Sequence, residues 1–163
     1  MVLDPSSVET LVRCRPADRL CRPGCEGVSL VSMTGGCLCG AIRYRMSEKP
    51  DYASYCHCGM CRKATGAPFA GFVEAAGHIA WDPEPPAEFA SSPGILRRFC
   101  RICGSALTFE TDDIVFVTLG SLDKPEDVRV QCHTYTEFRL PDILISDDLP
   151  SHPDPAGGKG GRP

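Results

Sequence analysis

Apolar and polar positions alternate with a period of two through most of the middle of the chain. Ile42, Tyr44 and Met46 alternate with Arg43 and Arg45, the pattern of a strand with one face buried and the other in water. PFAGFVEA, HIAW, ILRRFC, SALTFE, DIVFVTLG and RVQCHTY repeat the theme as short β-rich runs, separated by Gly, Pro, Asp or Ser. Only MCRKATG and KPEDV read as a turn of helix. The pattern predicts a mainly β, single-domain protein over residues 33–150. Residues 1–32 lack apolar periodicity and carry helix-breaking Arg-Pro and Pro-Gly pairs, so they are expected to be a disordered extension or a misassigned start. Residues 151–163 are Pro/Gly-rich with little to bury, and a disordered tail is expected there.

Composition narrows the class. The chain has 163 residues, 17 Lys+Arg against 21 Asp+Glu, and a formal net charge of −4. That balance argues against nucleic acid, which needs a clustered cationic face. No apolar run reaches the ~18 residues of a membrane span, and the N-terminus lacks the charged and apolar regions of a secretion signal. A cytoplasmic location is expected. Cysteine is the outlier at 11, an odd number that cannot be fully paired within one chain. An unsecreted, cysteine-rich chain points to metal rather than disulfides.

Seven cysteines carry the pattern: Cys37 and Cys39 in GGCLCG, Cys56, Cys58 and Cys61 in YCHCGMCRK, and Cys100 and Cys103 in FCRICGS. Residues two apart on a strand project to one face, and Cys-x-x-Cys closes a turn that brings two thiolates together. Disulfides between cysteines two apart would be strained, and Cys-x-Cys-x-x-Cys supplies too few ligands for an iron–sulfur cluster. Structural zinc takes four protein ligands, whereas catalytic zinc takes three and keeps one position open. The seven divide accordingly. Cys56, Cys58 and Cys61 share one ion, leaving Cys37, Cys39, Cys100 and Cys103 as a tetrahedral set that clamps remote segments. Such clamps contribute roughly 10–16 kcal/mol of apparent binding free energy. The alternative is a second closed site, completed by His57, Cys132 or His133. His57 should face away from its neighbouring cysteines, Cys132 reads as an ordinary thiol, and Cys14, Cys21 and Cys25 read as residues of the extension.

GGCLCGAIRY, CHCGMCRKATGAPFAGFV, RRFCRICGSALTF, LGSLDKP and finally His133 with DDLP resemble, in order, the glutathione-dependent formaldehyde-activating enzyme / CENP-V domain family. The resemblance implies a zinc-bound, antiparallel β-tent fold. It also implies two Zn²⁺ ions, one structural on Cys37, Cys39, Cys100 and Cys103, and one at an active site on the catalytic Cys56, Cys58 and Cys61. The implied activity is that of a carbon–sulfur lyase, joining glutathione and formaldehyde into S-hydroxymethylglutathione or reversing that step. Where family members carry a tryptophan after the histidine, this chain has Asp142.

Three thiolates leave a Zn²⁺ site with a net negative charge, better suited to holding a fourth thiolate than to activating water. A small-molecule thiol such as glutathione, with an aldehyde as electrophile, is the expected partner. Arg62, Lys63, Arg97 and Arg98 flank the clusters as candidate carboxylate anchors. Asp112–Asp113 and Asp147–Asp148 read as solvated turn formers, and His133 as a packed strand residue with proton transfer as its functional alternative. The competing function is a non-catalytic zinc module that binds another protein, for which the chain lacks extended basic segments.

Overall fold

The computed structural model describes residues 32–75 and 77–154. The extension before Ser32 and the tail beyond Asp154, both expected to be disordered, lie outside the described residues. Ten short strands, one α-helix and three single-turn 3-10 helices (Leu119–Ser121, Pro125–Asp127 and Thr136–Phe138) make up the regular structure there; the strands and α-helix are β1 (Met33–Gly36), β2 (Arg43–Met46), β3 (Ala53–Cys56), α1 (Gly59–Thr65), β4 (Ala70–Glu74), β5 (Ile79–Asp82), β6 (Ala87–Ser92), β7 (Ile95–Phe99), β8 (Ala106–Glu110), β9 (Val115–Thr118) and β10 (Cys132–Thr134). They form a three-stranded sheet, β1-β2-β5, and a seven-stranded sheet, β10-β3-β4-β9-β8-β7-β6.

The mainly β class predicted from periodicity is the class observed. Tyr44 and Met46 are buried while Arg45 is exposed, as the alternation requires. Three strands escaped the pattern, among them β3, Ala-Ser-Tyr-Cys, whose nearly continuous burial gives no alternation. β1, Met-Thr-Gly-Gly, has too little apolar side chain to signal itself, and β6, at the sheet edge, is largely exposed. The expected antiparallel arrangement holds for every strand pair but one. β10 runs parallel to β3, with His133 opposite Tyr55 and Thr134 opposite Cys56. The chain also stays attached beyond the boundary expected at Pro150. His133 N–H donates to Pro150 O at 2.8 Å, His152 N–H to His133 O at 2.8 Å, and Thr136 N–H to His152 O at 3.0 Å. These bonds give the backbone of 150–152 a place beside β10, which its composition did not signal.

The main core lies between the sheets, where Tyr44 and Met46 from β2 pack with Val73, Leu107 and Val117 from the larger sheet. The seam is also polar. Tyr44 Oη and Ser121 Oγ are 2.8 Å apart, Thr34 Oγ1 donates to Asp123 Oδ2 at 2.6 Å, and Arg43 is ion-paired with the same carboxylate. Gly35 forms a β-bridge with Leu122 across this seam. A Cβ at Gly35 would lie 2.3 Å from Tyr44 Oη and 2.4 Å from the Ser121 carbonyl, so only glycine fits. Gly35→Ala is therefore expected to destabilise the metal-loaded protein by roughly 1–3 kcal/mol in urea denaturation. An unchanged midpoint would show that the two sheets are not held this closely.

Candidate functional site

Two knuckles meet at the seam. Cys37 and Cys39 occupy the turn between β1 and β2, and Cys100 and Cys103 the turn between β7 and β8. Each turn closes on a glycine with positive φ, Gly40 at 77° and Gly104 at 76°, a conformation that side-chain-bearing residues adopt only with strain. Gly40 N–H reaches Cys37 O at 3.1 Å and Gly104 N–H reaches Cys100 O at 2.8 Å, which curls the backbone around the sulfurs. The four Sγ atoms lie within 4.8 Å of one another. Cys37 to Cys39 is 3.5 Å and Cys39 to Cys100 is 3.8 Å. A tetrahedron with metal–sulfur bonds of about 2.3 Å has sulfur–sulfur edges of about 3.8 Å, so this cluster can hold a thiolate-bound ion. Further contacts brace it: Leu38 N–H donates to Ser105 Oγ at 3.0 Å, and Ser105 Oγ lies 3.2 Å from Cys103 Sγ. Hydrogen bonding from Ser105 pulls the Cys103 thiol down to about 5.

The second cluster is built at the junction of β3 and α1. Cys56 ends β3, Cys58 caps the helix and Cys61 lies in its first turn. The capping contact is Cys61 N–H to Cys58 Sγ at 3.3 Å. All three cysteines are buried, and their Sγ atoms also lie within 4.8 Å of one another. Ionisation is uneven among them. Hydrogen bonds from the Cys56 and Cys61 thiols pull Cys58 down to about 2, whereas the Cys58 and Cys61 sulfurs push Cys56 far up. Three converging sulfurs with one readily ionised member are a donor set that a soft divalent cation fits. His57, Cys132 and His133 are not part of this group. Cys132 is buried, with its Sγ 3.5 Å from Tyr52 Oη.

The histidines do something that spacing could not reveal. His57 Nε2 lies 2.9 Å from His133 Nδ1, and His133 Nε2 lies 2.9 Å and 3.2 Å from the two Asp147 oxygens. Both rings are 1 % exposed. Burial holds the His57 imidazolium down to about 4, so this ring is neutral at neutral pH. His133 Nε2 faces the Asp147 carboxylate, and its Nδ1 faces His57 Nε2, so the two rings and the carboxylate form one continuous hydrogen-bonded row. Asp147 is thus a hydrogen-bonded anchor rather than a solvated turn former. The chain of contacts holds the residue between Cys56 and Cys58 to the segment after β10, assisted by His57 N–H to Thr134 O at 3.0 Å. Tyr135 follows in the left-handed region at φ 55° and packs against the three-thiol cluster. Burial and the charges of Cys56, Cys58 and Cys61 push its hydroxyl up to about 12.

The flanking cations sort themselves. Arg98 is committed to Glu88 and Glu110, the latter at 2.7 Å, and Arg62 donates to Phe138 O at 2.8 Å. Lys63 is exposed. Arg97 alone of the four touches a cluster sulfur, with Nη2 3.8 Å from Cys61 Sγ. It also lines a cavity of about 580 Å³ together with Met60 and Phe72.

These features define a small β protein with two cysteine clusters that could hold metal, one at the joint between sheets and one at the β3–α1 junction. Residues 32–138 match the model of the family described as glutathione-dependent formaldehyde-activating enzyme, and the chain belongs to that family. It is 35 % identical over 75 residues to an uncharacterized lyase of Schizosaccharomyces pombe, a match spanning 46 % of this chain and 55 % of that relative. A solved structure of a Rhodobacter sphaeroides protein is similar over 60 % of this chain and 97 % of its own, with a TM-score of 0.45 and 23 % identity. No helix among the described residues is long and apolar enough to cross a membrane.

The two clusters should respond differently to loss of a thiol. Cys100→Ser removes a fully buried sulfur from the joint between sheets and is expected to abolish cooperative unfolding or lower stability severely. Cys58→Ser is expected to leave a folded protein with one fewer bound metal ion, read by circular dichroism and metal analysis. Equal loss of fold in both would make both clusters structural. Separately, Asp147→Ala strands the buried His133 Nε2 donor and is expected to cost roughly 1–3 kcal/mol in denaturant unfolding. No loss would show that the histidine pair holds without its carboxylate.

Proposed function

We propose that this protein is a zinc-dependent carbon–sulfur lyase that forms and cleaves an adduct between a thiol of the glutathione type and formaldehyde. The observation that carries the reading is the buried three-thiol cluster of Cys56, Cys58 and Cys61, separate from a complete four-thiol set and linked to a cavity through Arg97, which reaches Cys61 Sγ. The family assignment supports the choice of thiol and aldehyde, and the relative named a lyase supports the reaction class. We assign the structural zinc ion to Cys37, Cys39, Cys100 and Cys103, and the active-site ion to Cys56, Cys58 and Cys61.

Zinc at the three-thiol site supplies a position where a substrate thiol is held as its thiolate at neutral pH. The chain's own residues prepare the surroundings. Cys56, Cys58 and Cys61 concentrate negative charge, which keeps an added sulfur electron-rich. Met60 and Phe72 provide an apolar wall that limits competition from water. The His57–His133–Asp147 contacts hold the loop between two of the sulfurs so that their directions do not drift. In the forward direction the thiolate sulfur bonds to the aldehyde carbon, and the carbonyl oxygen takes a proton from water. Reversal breaks the same carbon–sulfur bond and releases thiol and aldehyde.

Glutathione and formaldehyde combine without help, so product formation is not diagnostic. The informative quantity is the exchange rate between free and adduct glutathione at equilibrium, measured by NMR with the zinc-loaded protein. Catalysis should accelerate exchange in both directions equally, and Cys58→Ser should return it to the uncatalysed rate. Identical exchange with and without the wild-type protein would refute the formaldehyde assignment.

A further inference from the structure

Arg97 lies on β7 with its side chain turned inward, while its neighbour Arg98 turns to Glu88 and Glu110. It is 8 % exposed, and among the described residues no carboxylate lies within ion-pair distance of it. Its contacts are Ser91 Oγ, which accepts from Nε at 3.2 Å, Cys61 Sγ at 3.8 Å from Nη2, and the Phe109 ring, 5.0 Å from the guanidinium carbon. A buried, always-charged group without a counter-carboxylate is costly unless another negative centre balances it. The three-thiol cluster is that centre. Two of the guanidinium N–H donors are committed to these polar contacts, and five are available in total. The remaining donors belong to a side chain that forms part of the cavity wall with Met60, Phe72, Phe89, Ser91 and Thr118.

We propose that Arg97 is a catalytic residue that binds the oxygen of the thiol adduct, stabilising the alkoxide that forms when the thiolate adds to a carbonyl. The inference rests on the lyase reading above and specifies the substrate class: a thiol and a carbonyl compound whose adduct carries its oxygen on the carbon newly bonded to sulfur. The step balances without an oxidant. A sulfur lone pair forms the carbon–sulfur bond, the carbonyl π pair moves to oxygen, and the resulting alkoxide takes a proton from water. Cleavage returns that proton to water and the bonding pair to sulfur. Arg97 suits the task because it stays cationic throughout and its planar fork offers several donors to one oxygen. Its contact with Cys61 ties the oxygen-binding group to the sulfur-binding group, so that both ends of a short S–C–O unit are addressed together.

The test compares two small thiols and two substitutions in the zinc-loaded protein. Thioglycolate carries an anionic oxygen function one carbon beyond the position needed, and 2-mercaptoethanol is its neutral counterpart. Calorimetric titration of the wild type is expected to show thioglycolate bound roughly tenfold more tightly. Arg97→Gln should erase that preference while retaining 2-mercaptoethanol binding and both zinc ions, and Arg97→Lys should restore part of it. In the glutathione–formaldehyde exchange measurement, Arg97→Gln should be slower by roughly 100-fold if all of the wild-type acceleration depends on this donor. Equal binding of the two thiols by the wild type, or an undiminished preference in Arg97→Gln, overturns the proposal. If Arg97→Gln loses zinc or unfolds, the wild-type comparison and the Arg97→Lys variant still decide. A preference that depends on Arg97, with no acceleration of exchange by the wild type, supports the oxygen-binding role and refutes formaldehyde as the electrophile.

Discussion

The four-thiol cluster is where the two sheets are joined. Cys37 and Cys39 come from a hairpin of the small sheet, and Cys100 and Cys103 from a hairpin of the large one. Their sulfurs converge only if the two knuckles face each other at a fixed distance. The surrounding contacts obey the same constraint: Gly35 abuts Tyr44 and the backbone at Ser121, and Leu38 N–H reaches across to Ser105 Oγ. In a domain with short strands and one brief helix, apolar burial has little room to do this alone. A tetrahedral ion held by four thiolates would convert those facing hairpins into a single covalently cross-braced unit.

The three-thiol cluster uses the large sheet differently. It sits where β3 passes into α1, so a strand end, a cap and a first helical turn each present one sulfur. This junction is held from behind by the parallel addition of β10, and laterally by the His57–His133–Asp147 contacts. On a further side Phe72 and Met60 pack with the three cysteines, and together with Arg97 they also line a cavity. One centre thus joins hairpins of two sheets, whereas the other is built within a single strand-to-helix junction of the large sheet. Under the proposed function that asymmetry separates the ion that maintains the fold from the ion that handles substrate.

Periodicity revealed most strands because Tyr44, Met46, Val73 and Val117 report their burial through alternation. Cysteine spacing was similarly informative, since local geometry brings Cys56, Cys58 and Cys61 together and turns Cys100 toward Cys103. β1, β3 and β6 were not legible, the first being glycine-rich, the second buried almost throughout and the third an exposed edge. Nor was the histidine chain, whose members are brought together by the parallel β10 pairing and by a loop that returns to it. Adjacent arginines were equally opaque. Their opposite directions on β7 place Arg98 among carboxylates and Arg97 beside a thiol, and only the assembled sheet distinguishes those environments.

The claim that one site is closed by four thiolates and the other open to a fourth can be tested by zinc X-ray absorption on the protein loaded with two ions. Averaged over both sites, the sulfur coordination should be about 3.5 per zinc in the free protein and rise to about 4 with saturating glutathione. A value of about 3.5 that does not rise would contradict thiol binding at the second ion. A value already at about 4 without glutathione would show that both sites are closed.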